Sequence, residues 1–165
     1  MGIKAIAAQH KTSIVGGETT RSSQLWLSVS VIGKVDREHC ITRTGSTAGD
    51  AIFVTGELGG SLAGKHLDFK PRISEGRWLA LKFDIHAMID LSDGLSTDLR
   101  HLLGKKLGAE LLTTAIPVSH AAKLRAKETS SGKTALLAAL TDGEDYELLF
   151  TLPAGDAVKL HDAWK

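Results

Sequence analysis

The sequence is poor in several kinds of residue, and each shortage argues against a class of protein. It has one cysteine, Cys40, so no disulfide can form within the chain, and we expect a cytoplasmic protein. Aromatic residues make up 5% of the chain, too few to favour a base-stacking surface for nucleic acid. The net charge of +1 gives no strong field toward nucleic acid or an anionic membrane. No apolar run approaches the roughly 18 residues that span a bilayer.

Two common kinds of ligand site are also not expected. The seven histidines are scattered without the paired spacing of zinc ligands. The run from Gly59 to Lys65 has the spacing of a phosphate-binding P-loop, but His66 stands where that motif needs Ser or Thr. A ligand site in this chain is therefore expected to use other residues.

The spacing of apolar residues predicts a chain of mixed helices and strands. Because these elements follow no strict β-α-β rhythm, we expect the α+β class, with a mixed sheet packed by helices. A cluster of Gly, Ser and Thr predicts a boundary between residues 48 and 49. The predicted strands are 13–15, 25–35, 51–55, 86–91, 109–118 and 146–152, and the predicted helices are 3–10, 61–67, 73–83, 94–106, 121–127, 135–140 and 155–165.

The first candidate site is the run from Asp90 to Gly94, between a predicted strand and a predicted helix. The chain turns at such a junction, so Asp90 and Asp93 can point into one cleft. Free N–H groups at the start of the helix favour a nearby anion. Magnesium between the carboxylates and a phosphate would make this arrangement favourable. The alternative is that Asp93 caps the helix and Asp90 is a solvated loop acid.

The second candidate is an acidic loop, residues 142–147, immediately before an apolar strand. A loop of this kind can bind cations or the positively charged ring of a substrate. A solvated acidic turn is an equally good interpretation of the loop alone. The four acids, which flank Gly143, are Asp142, Glu144, Asp145 and Glu147.

Two further segments are weaker candidates. Paired glycines in residues 16–21 allow close approach of the backbone to a ligand, while Glu18 could reach a metal and Arg21 a phosphate. A plain hairpin turn is the alternative for this segment. Arg43, with the loop at 45–50, fits either a phosphate contact or a surface connection.

Taken together and in order, four segments resemble the thiamine-monophosphate kinase family. The resemblance covers residues 3–153, and the last segment points most narrowly to the thiamine enzyme. That family is part of a superfamily with aminoimidazole ribonucleotide synthetase, selenide water dikinase and a hydrogenase maturation factor. The four segments are GGETTR at 16–21, GDAIFVTG at 49–56, DLSDGL at 90–95 and GEDYELLF at 143–150.

The resemblance implies a fold and an activity. The fold would be the C-terminal α/β domain of an aminoimidazole ribonucleotide synthetase-like protein at 49–165, preceded by the end of the N-terminal ATP-binding domain at 1–48. The activity would be ATP- and magnesium-dependent phosphorylation of thiamine monophosphate to thiamine diphosphate, by direct transfer without a phosphoenzyme. The full-length protein would be a homodimer.

The resemblance also implies roles for the matched residues, none of which would form a covalent intermediate. The expected magnesium ligands are Glu18, Asp90 and Asp93. The expected nucleotide contacts are Gly17, Glu18, Arg43 and Ser92. The expected contacts with the thiamine substrate are Glu144 and Asp145.

The sequence also departs from the family pattern. Glu18 replaces the more usual aspartate, and Asp142 stands where a glycine is common. The family's N-terminal Gly-Asp-Asp segment and its C-terminal substrate contact have no match, so we expect a fragment with little or no kinase activity alone. The alternatives are a related ATP-dependent synthetase or selenide kinase, and a nucleotide-binding module without catalysis.

Overall fold

The computed structural model describes residues 2–128 and 132–164. Contacts between residues divide the chain into two compact units, Met1–Lys34 and Val35–Lys165. The predicted domain boundary between residues 48 and 49 falls within the second unit and stays a prediction. Each unit is described by itself below.

The first unit contains helix α1, Gly2–Gln9, followed by a stretch without regular secondary structure. The predicted strands at 13–15 and 25–35 are therefore wrong. An extended segment becomes a stable strand when a neighbouring strand pairs with its backbone, and the described part of this unit offers no such neighbour. Leu25 and Val31, on the predicted buried face, are accordingly exposed at 101% and 79%.

The second unit is built on a three-stranded sheet of β1 (Asp50–Val54), β2 (Ala87–Asp90) and β3 (Leu148–Pro153). The strand order is β1-β3-β2, and both pairings are antiparallel. The predicted α+β class is confirmed. Where a mixed sheet was expected, parallel pairing among the described residues is limited to one bridge between Leu58 and Val118.

Helices cover both faces of the central strand. Leu149 of β3 belongs to a buried cluster with helices α3 (Leu95–Leu103) and α5 (Ala135–Thr141), while Phe150 and Leu152 belong to a second cluster with α2 (Ile73–Lys82) and α6 (Ala157–Ala163). This alternation along β3 follows from the two-residue period of a strand. No described helix has the length and apolar character needed to cross a membrane. The helices are α2 (Ile73–Lys82), α3 (Leu95–Leu103), α4 (His120–Lys127), α5 (Ala135–Thr141) and α6 (Ala157–Ala163).

Two other predicted elements of the second unit are not formed. The predicted helix at 61–67 is instead two short 3-10 turns, Ser61–Ala63 and Lys65–Leu67, separated by Gly64 with φ of 138°. The predicted strand at 109–118 makes only the bridge at Val118, because Pro117 has no N–H to donate and no described strand lies alongside. Between α4 and α5 the sequence predicts a polar loop at 128–133, and this segment lies partly outside the described residues.

Replacing Leu149 tests whether the central strand supports the fold. Leu149 is fully buried, so Leu149→Ala should lower the free energy of unfolding by about 2–5 kcal/mol through lost burial and a residual cavity. Leu62→Ala is the control, because Leu62 is 54% exposed and its truncation should cost less than about 0.5 kcal/mol. Urea denaturation measures both, and equal losses would contradict the assignment of Leu149 to the core.

Candidate functional site

A cleft of about 580 Å³ opens on the second unit beside the end of β2. Four of the predicted site residues line it, namely Arg43, Asp90, Ser92 and Asp93. Two segments that are well separated in the chain therefore contribute to one depression. The remaining lining residues are Ile41, Met88, Ile89, Asp98, His101 and Leu148.

The turn after β2 directs its acidic side chains into this cleft. Leu91 is fully buried in the core, whereas Asp90 and Asp93 on either side of it are exposed. Helix α3 has Gly94 as its N-cap, with φ of 95° and no side-chain capping hydrogen bond. The alternative in which Asp93 caps this helix is therefore wrong, and its carboxylate is free of that role.

Asp98 is a residue of this site that our sequence analysis missed. It is 1% exposed, and its Oδ2 accepts hydrogen bonds from the backbone N–H groups of Ser92 and Asp93, both at 3.0 Å. Burial raises the pKa of Asp98, and the two N–H groups act in the opposite direction. The signal was available, because Asp98 lies three residues after Leu95 on the apolar stripe of an amphipathic helix.

Arg43 reaches the cleft because the segment before β1 lies along β2. The N–H of Met88 donates to the carbonyl of Thr42 at 2.9 Å. Nδ1 of His86 lies 2.9 Å from Oδ2 of Asp50, which ties the start of β1 to the start of β2. These contacts hold the backbone on both sides of Arg43, whose own side chain is exposed.

The acidic loop is joined to the turn by backbone hydrogen bonds. The N–H of Leu91 donates to the carbonyl of Glu147 at 2.8 Å, and the N–H of Tyr146 donates to the carbonyl of Leu91 at 2.8 Å. Beyond them, the N–H of Glu144 donates to the carbonyl of Ser92 at 2.9 Å. The pairing of β2 with β3 thus continues past the strand ends and brings the first two candidate sites together.

Two glycines make this close approach possible. A Cβ on Gly143 would collide with the carbonyl oxygen of Ser92, and one on Gly94 would lie 2.9 Å from the carbonyl oxygen of Asp142. Since φ of Gly94 is 95°, a side chain there would also strain the backbone. Each loop therefore has a glycine where it meets the other.

Glu147 anchors the acidic loop through a buried ion-pair network. Its carboxylate, 2% exposed, accepts from Arg72 Nε at 2.7 Å, Lys65 Nζ at 2.7 Å and the Thr55 hydroxyl at 2.7 Å. Burial alone would raise the pKa of Glu147, but these three donors lower it to about 2. The alternative of a plain solvated turn is therefore wrong for this loop.

Asp145 is buried as well, but it is held by the backbone. It is 1% exposed, and both of its oxygens accept from the N–H of Gly59, at 2.9 and 3.0 Å. Burial raises the pKa of Asp145 to about 6, while the Gly59 N–H and Lys65 act to lower it. Direct contact with a substrate would require this carboxylate to leave Gly59, so its substrate role stays a prediction.

Glu144 is better placed to meet a ligand, because its side chain is only half-buried. Its φ is 66°, a left-handed conformation, and its Oε2 accepts from the Tyr146 hydroxyl at 2.7 Å. The ring of Tyr146 stacks on Phe69, with centroids 4.3 Å apart. Phe69 was not predicted as a site residue. It lies in the chain between Lys65 and Arg72, both of which form ion pairs with Glu147.

Gly17 and Glu18 lie in the first unit and are exposed. No described strand flanks residues 16–21, so the hairpin alternative for this segment is wrong. The expected roles of Gly17 and Glu18 stay predictions.

Comparison with known proteins places the chain beside one enzyme. It is 41% identical over 158 residues to a thiamine-monophosphate kinase of Rhodopirellula baltica, covering 94% of this chain and 49% of the relative. The thiamine-monophosphate kinase of Buchnera aphidicola subsp. Schizaphis graminum is 35% identical over 182 residues, covering 97% and 54%. The chain thus spans about half the length of these relatives. No family model matches it.

Solved structures of thiamine-monophosphate kinases are also similar to this chain in fold. A thiamine-monophosphate kinase from Stenotrophomonas maltophilia matches with a TM-score of 0.65 and 30% identity, covering 78% of this chain and 47% of that one. AaThiL complexed with AMPPCP and TMP matches with a TM-score of 0.57 and 32% identity, covering 70% and 43%. The hydrogenase maturation protein HypE, at 20% identity and a TM-score of 0.58 over 75% and 40%, shares the fold. The chain therefore has the aminoimidazole ribonucleotide synthetase-like fold.

The Glu147 network should make stability fall in acid. Because the pKa of Glu147 is about 2 in the folded protein and 4.5 as its ordinary value, its contribution is complete above pH 4.5 and is lost as the pH falls to about 2. That loss is about 3 kcal/mol. Glu147→Gln should lower the free energy of unfolding by a similar amount at pH 7, and the difference from wild type should shrink toward pH 2.

Urea denaturation at several pH values measures this difference. Glu110→Gln is the matched control, because Glu110 is exposed and the same substitution there should have little effect at any pH. A difference between wild type and Glu147→Gln that stays constant from pH 7 to 2 would contradict the ion-pair assignment.

Adding a methyl group at Gly143 should separate the turn from the acidic loop. Gly143→Ala places Cβ against the Ser92 carbonyl, so we expect a loss of about 1–3 kcal/mol in the free energy of unfolding from the strain of a tight contact. Gly155→Ala is the control, since a Cβ there meets nothing within 4 Å. Thermal or urea denaturation compares them, and similar stabilities would show that the contact is loose.

Proposed function

We propose that this chain, whose sequence matches about half the length of thiamine-monophosphate kinases, carries part of the site at which that enzyme works. The reaction is the ATP- and magnesium-dependent phosphorylation of thiamine monophosphate to thiamine diphosphate. The observation that carries the proposal is one cleft in which Arg43 and the Asp90–Gly94 turn meet. The acidic loop is hydrogen-bonded to the same turn.

The residues of the turn suit a magnesium ion. Asp90 and Asp93 are exposed and line the same cleft, and within residues 2–128 and 132–164 neither forms an ion pair with a basic side chain. Magnesium prefers a few carboxylates completed by water and phosphate oxygens. We propose Asp90 and Asp93 as its ligands, and the ion would neutralise charge on the transferred phosphoryl group. The role of Glu18 as a magnesium ligand stays a prediction.

Phosphoryl transfer depends mainly on positioning and on neutralising charge. We propose that the Arg43 guanidinium pairs with phosphate oxygens of ATP, for which its forked N–H groups are suited. The Ser92 hydroxyl, half-buried in the cleft, would donate to the same nucleotide, and the nucleotide contacts of Gly17 and Glu18 stay predictions.

The thiamine substrate would meet the acidic loop. Its ring system is positively charged, so the Glu144 carboxylate, which lies beside the stacked rings of Tyr146 and Phe69, offers both charge and an aromatic surface. The predicted contact of Asp145 with the substrate stays a prediction. In the structure its two oxygens accept from the N–H of Gly59, and this hydrogen bonding holds the backbone next to Glu144. We further propose a cytoplasmic protein that forms a homodimer at full length.

Nucleotide binding by the isolated chain provides the test. Titration calorimetry with AMPPCP should detect binding that requires Mg²⁺, because the phosphates approach carboxylates only through the ion. Arg43→Ala should weaken binding about tenfold, equivalent to about 1.4 kcal/mol, and Asp93→Asn should reduce the dependence on Mg²⁺.

Arg77→Ala is the matched control, because Arg77 is an exposed arginine of α2 that does not line the cleft. Binding of equal strength with and without Mg²⁺, or an Arg43→Ala variant that binds as the wild type does, would contradict the proposed site. Binding of thiamine monophosphate that survives Glu144→Gln unchanged would contradict the substrate assignment.

A further inference from the structure

We propose that Asp98 is the positioning residue of this site, holding the Asp90–Gly94 turn in its cleft-facing conformation through two hydrogen bonds to backbone N–H groups. The effect of Asp98 on metal and nucleotide binding rests on the proposed function. The conformational part is independent of that function and can be measured by itself.

The burial of Asp98 needs an explanation, because a buried carboxylate is costly without compensation. Asp98 is 1% exposed, and in the described parts of the chain, 2–128 and 132–164, no basic side chain forms an ion pair with it. Two other acids, Asp90 and Asp93, lie close enough to disfavour its charge further. What compensates the burial is the pair of N–H groups of Ser92 and Asp93, at 3.0 Å each.

These hydrogen bonds decide where the side chains of the turn point. With the N–H groups of Ser92 and Asp93 directed toward Asp98, the Ser92 hydroxyl and the Asp93 carboxylate line the cleft. The opposite side of the turn is held by the acidic loop, since the Ser92 carbonyl accepts from Glu144. Helix α3 has no side-chain cap of its own, so Asp98 is the side chain that fixes the N–H groups preceding it.

A rival role for Asp98 is direct metal binding. One oxygen of Asp98, one of Asp93 and a ring nitrogen of His101 lie within 4.8 Å of one another. The two roles differ in what they demand of residue 98. Positioning needs a hydrogen-bond acceptor, which asparagine supplies through its carbonyl oxygen, whereas direct ligation of a divalent cation is weakened when a neutral amide oxygen replaces the charged carboxylate.

Three variants separate these roles. Asp98→Asn keeps the acceptor without the charge. Asp98→Leu removes both with the same branching but more bulk, on an apolar helix stripe, and Asp98→Ala removes both with less bulk. Leu99→Ala is the control for general destabilisation, because Leu99 is a buried residue of the same helix that does not line the cleft. The readouts are amide hydrogen exchange of Ser92 and Asp93 by NMR, and Mn²⁺ affinity by EPR with AMPPCP present.

We expect the acceptor-less variants to lose at least about tenfold in Mn²⁺ affinity, as for other residues that support metal ligands, and to exchange these two amides faster. Asp98→Asn should stay within about threefold of wild type on both readouts, as should Leu99→Ala despite its lower stability. Loss of Mn²⁺ affinity in Asp98→Asn equal to that in Asp98→Leu would overturn positioning in favour of ligation. Unchanged amide exchange in both Asp98→Leu and Asp98→Ala would overturn it outright.

Failure of the proposed function gives a different result. If the wild-type chain binds neither Mn²⁺ nor nucleotide, the function fails, while slow exchange of Ser92 and Asp93 that is lost in Asp98→Leu still supports the role of Asp98 in the turn. If the wild-type chain binds both and the two amides exchange fast in it, the positioning role fails and the function stands.

Discussion

The site depends on the antiparallel pairing of β2 with β3 being continued beyond the strands themselves. Asp90 pairs with Leu148 as the last register position, and the next hydrogen bonds join Leu91 to Glu147 and to Tyr146. Because two antiparallel neighbours always bring the end of one beside the start of the other, the turn after β2 and the loop before β3 must meet. Their separation along the sequence is irrelevant to this, and so the pairing of two strands creates a site from two distant segments.

Buried and exposed carboxylates have different tasks in this arrangement. Glu147 and Asp145 are both buried and lie two residues apart in the chain. Their pKa values nevertheless move in opposite directions, that of Glu147 to about 2 and that of Asp145 to about 6. The difference follows from their partners, since Arg72 and Lys65 bring positive charge to Glu147, whereas Asp145 has mainly the N–H of Gly59. As the pH falls through about 6, Asp145 takes up a proton in the folded state, and this raises the free energy of unfolding. Below about pH 4.5 the protonation of Glu147 lowers it.

Sequence reasoning predicted the three strands of the sheet, the helices α2 to α6 and four of the residues that line the cleft, because strands, helices and the Asp-rich turn leave local patterns. The strand at β3 is an apolar run after a charged loop, and the helix α3 has a clear apolar stripe beginning at Leu95. Sequence reasoning failed at 25–35, where the alternating pattern of a half-buried strand is present but no described strand pairs with it. It also failed at 61–67, where Gly64 interrupts a helical pattern. Whether a strand finds a partner depends on the tertiary structure, and whether one glycine breaks a helix depends on its backbone conformation. The spacing of apolar residues predicts neither.

Asp93 and Asp98 show why the position of an acidic residue in the sequence does not by itself reveal its role. Read along the chain, Asp93 fits either a helix cap or a ligand, whereas Asp98 lies inside the predicted helix and was not identified as a candidate for either role. In the fold both residues line the cleft, but Asp98 is buried on the apolar side of α3, whereas Asp93 precedes the helix and is exposed. A carboxylate on an apolar stripe has to be compensated where it lies, and the nearest uncompensated donors are the N–H groups just before the helix. The same helix that would have been capped by Asp93 instead uses an internal residue to hold the turn, and this leaves the carboxylate of Asp93 available to a cation.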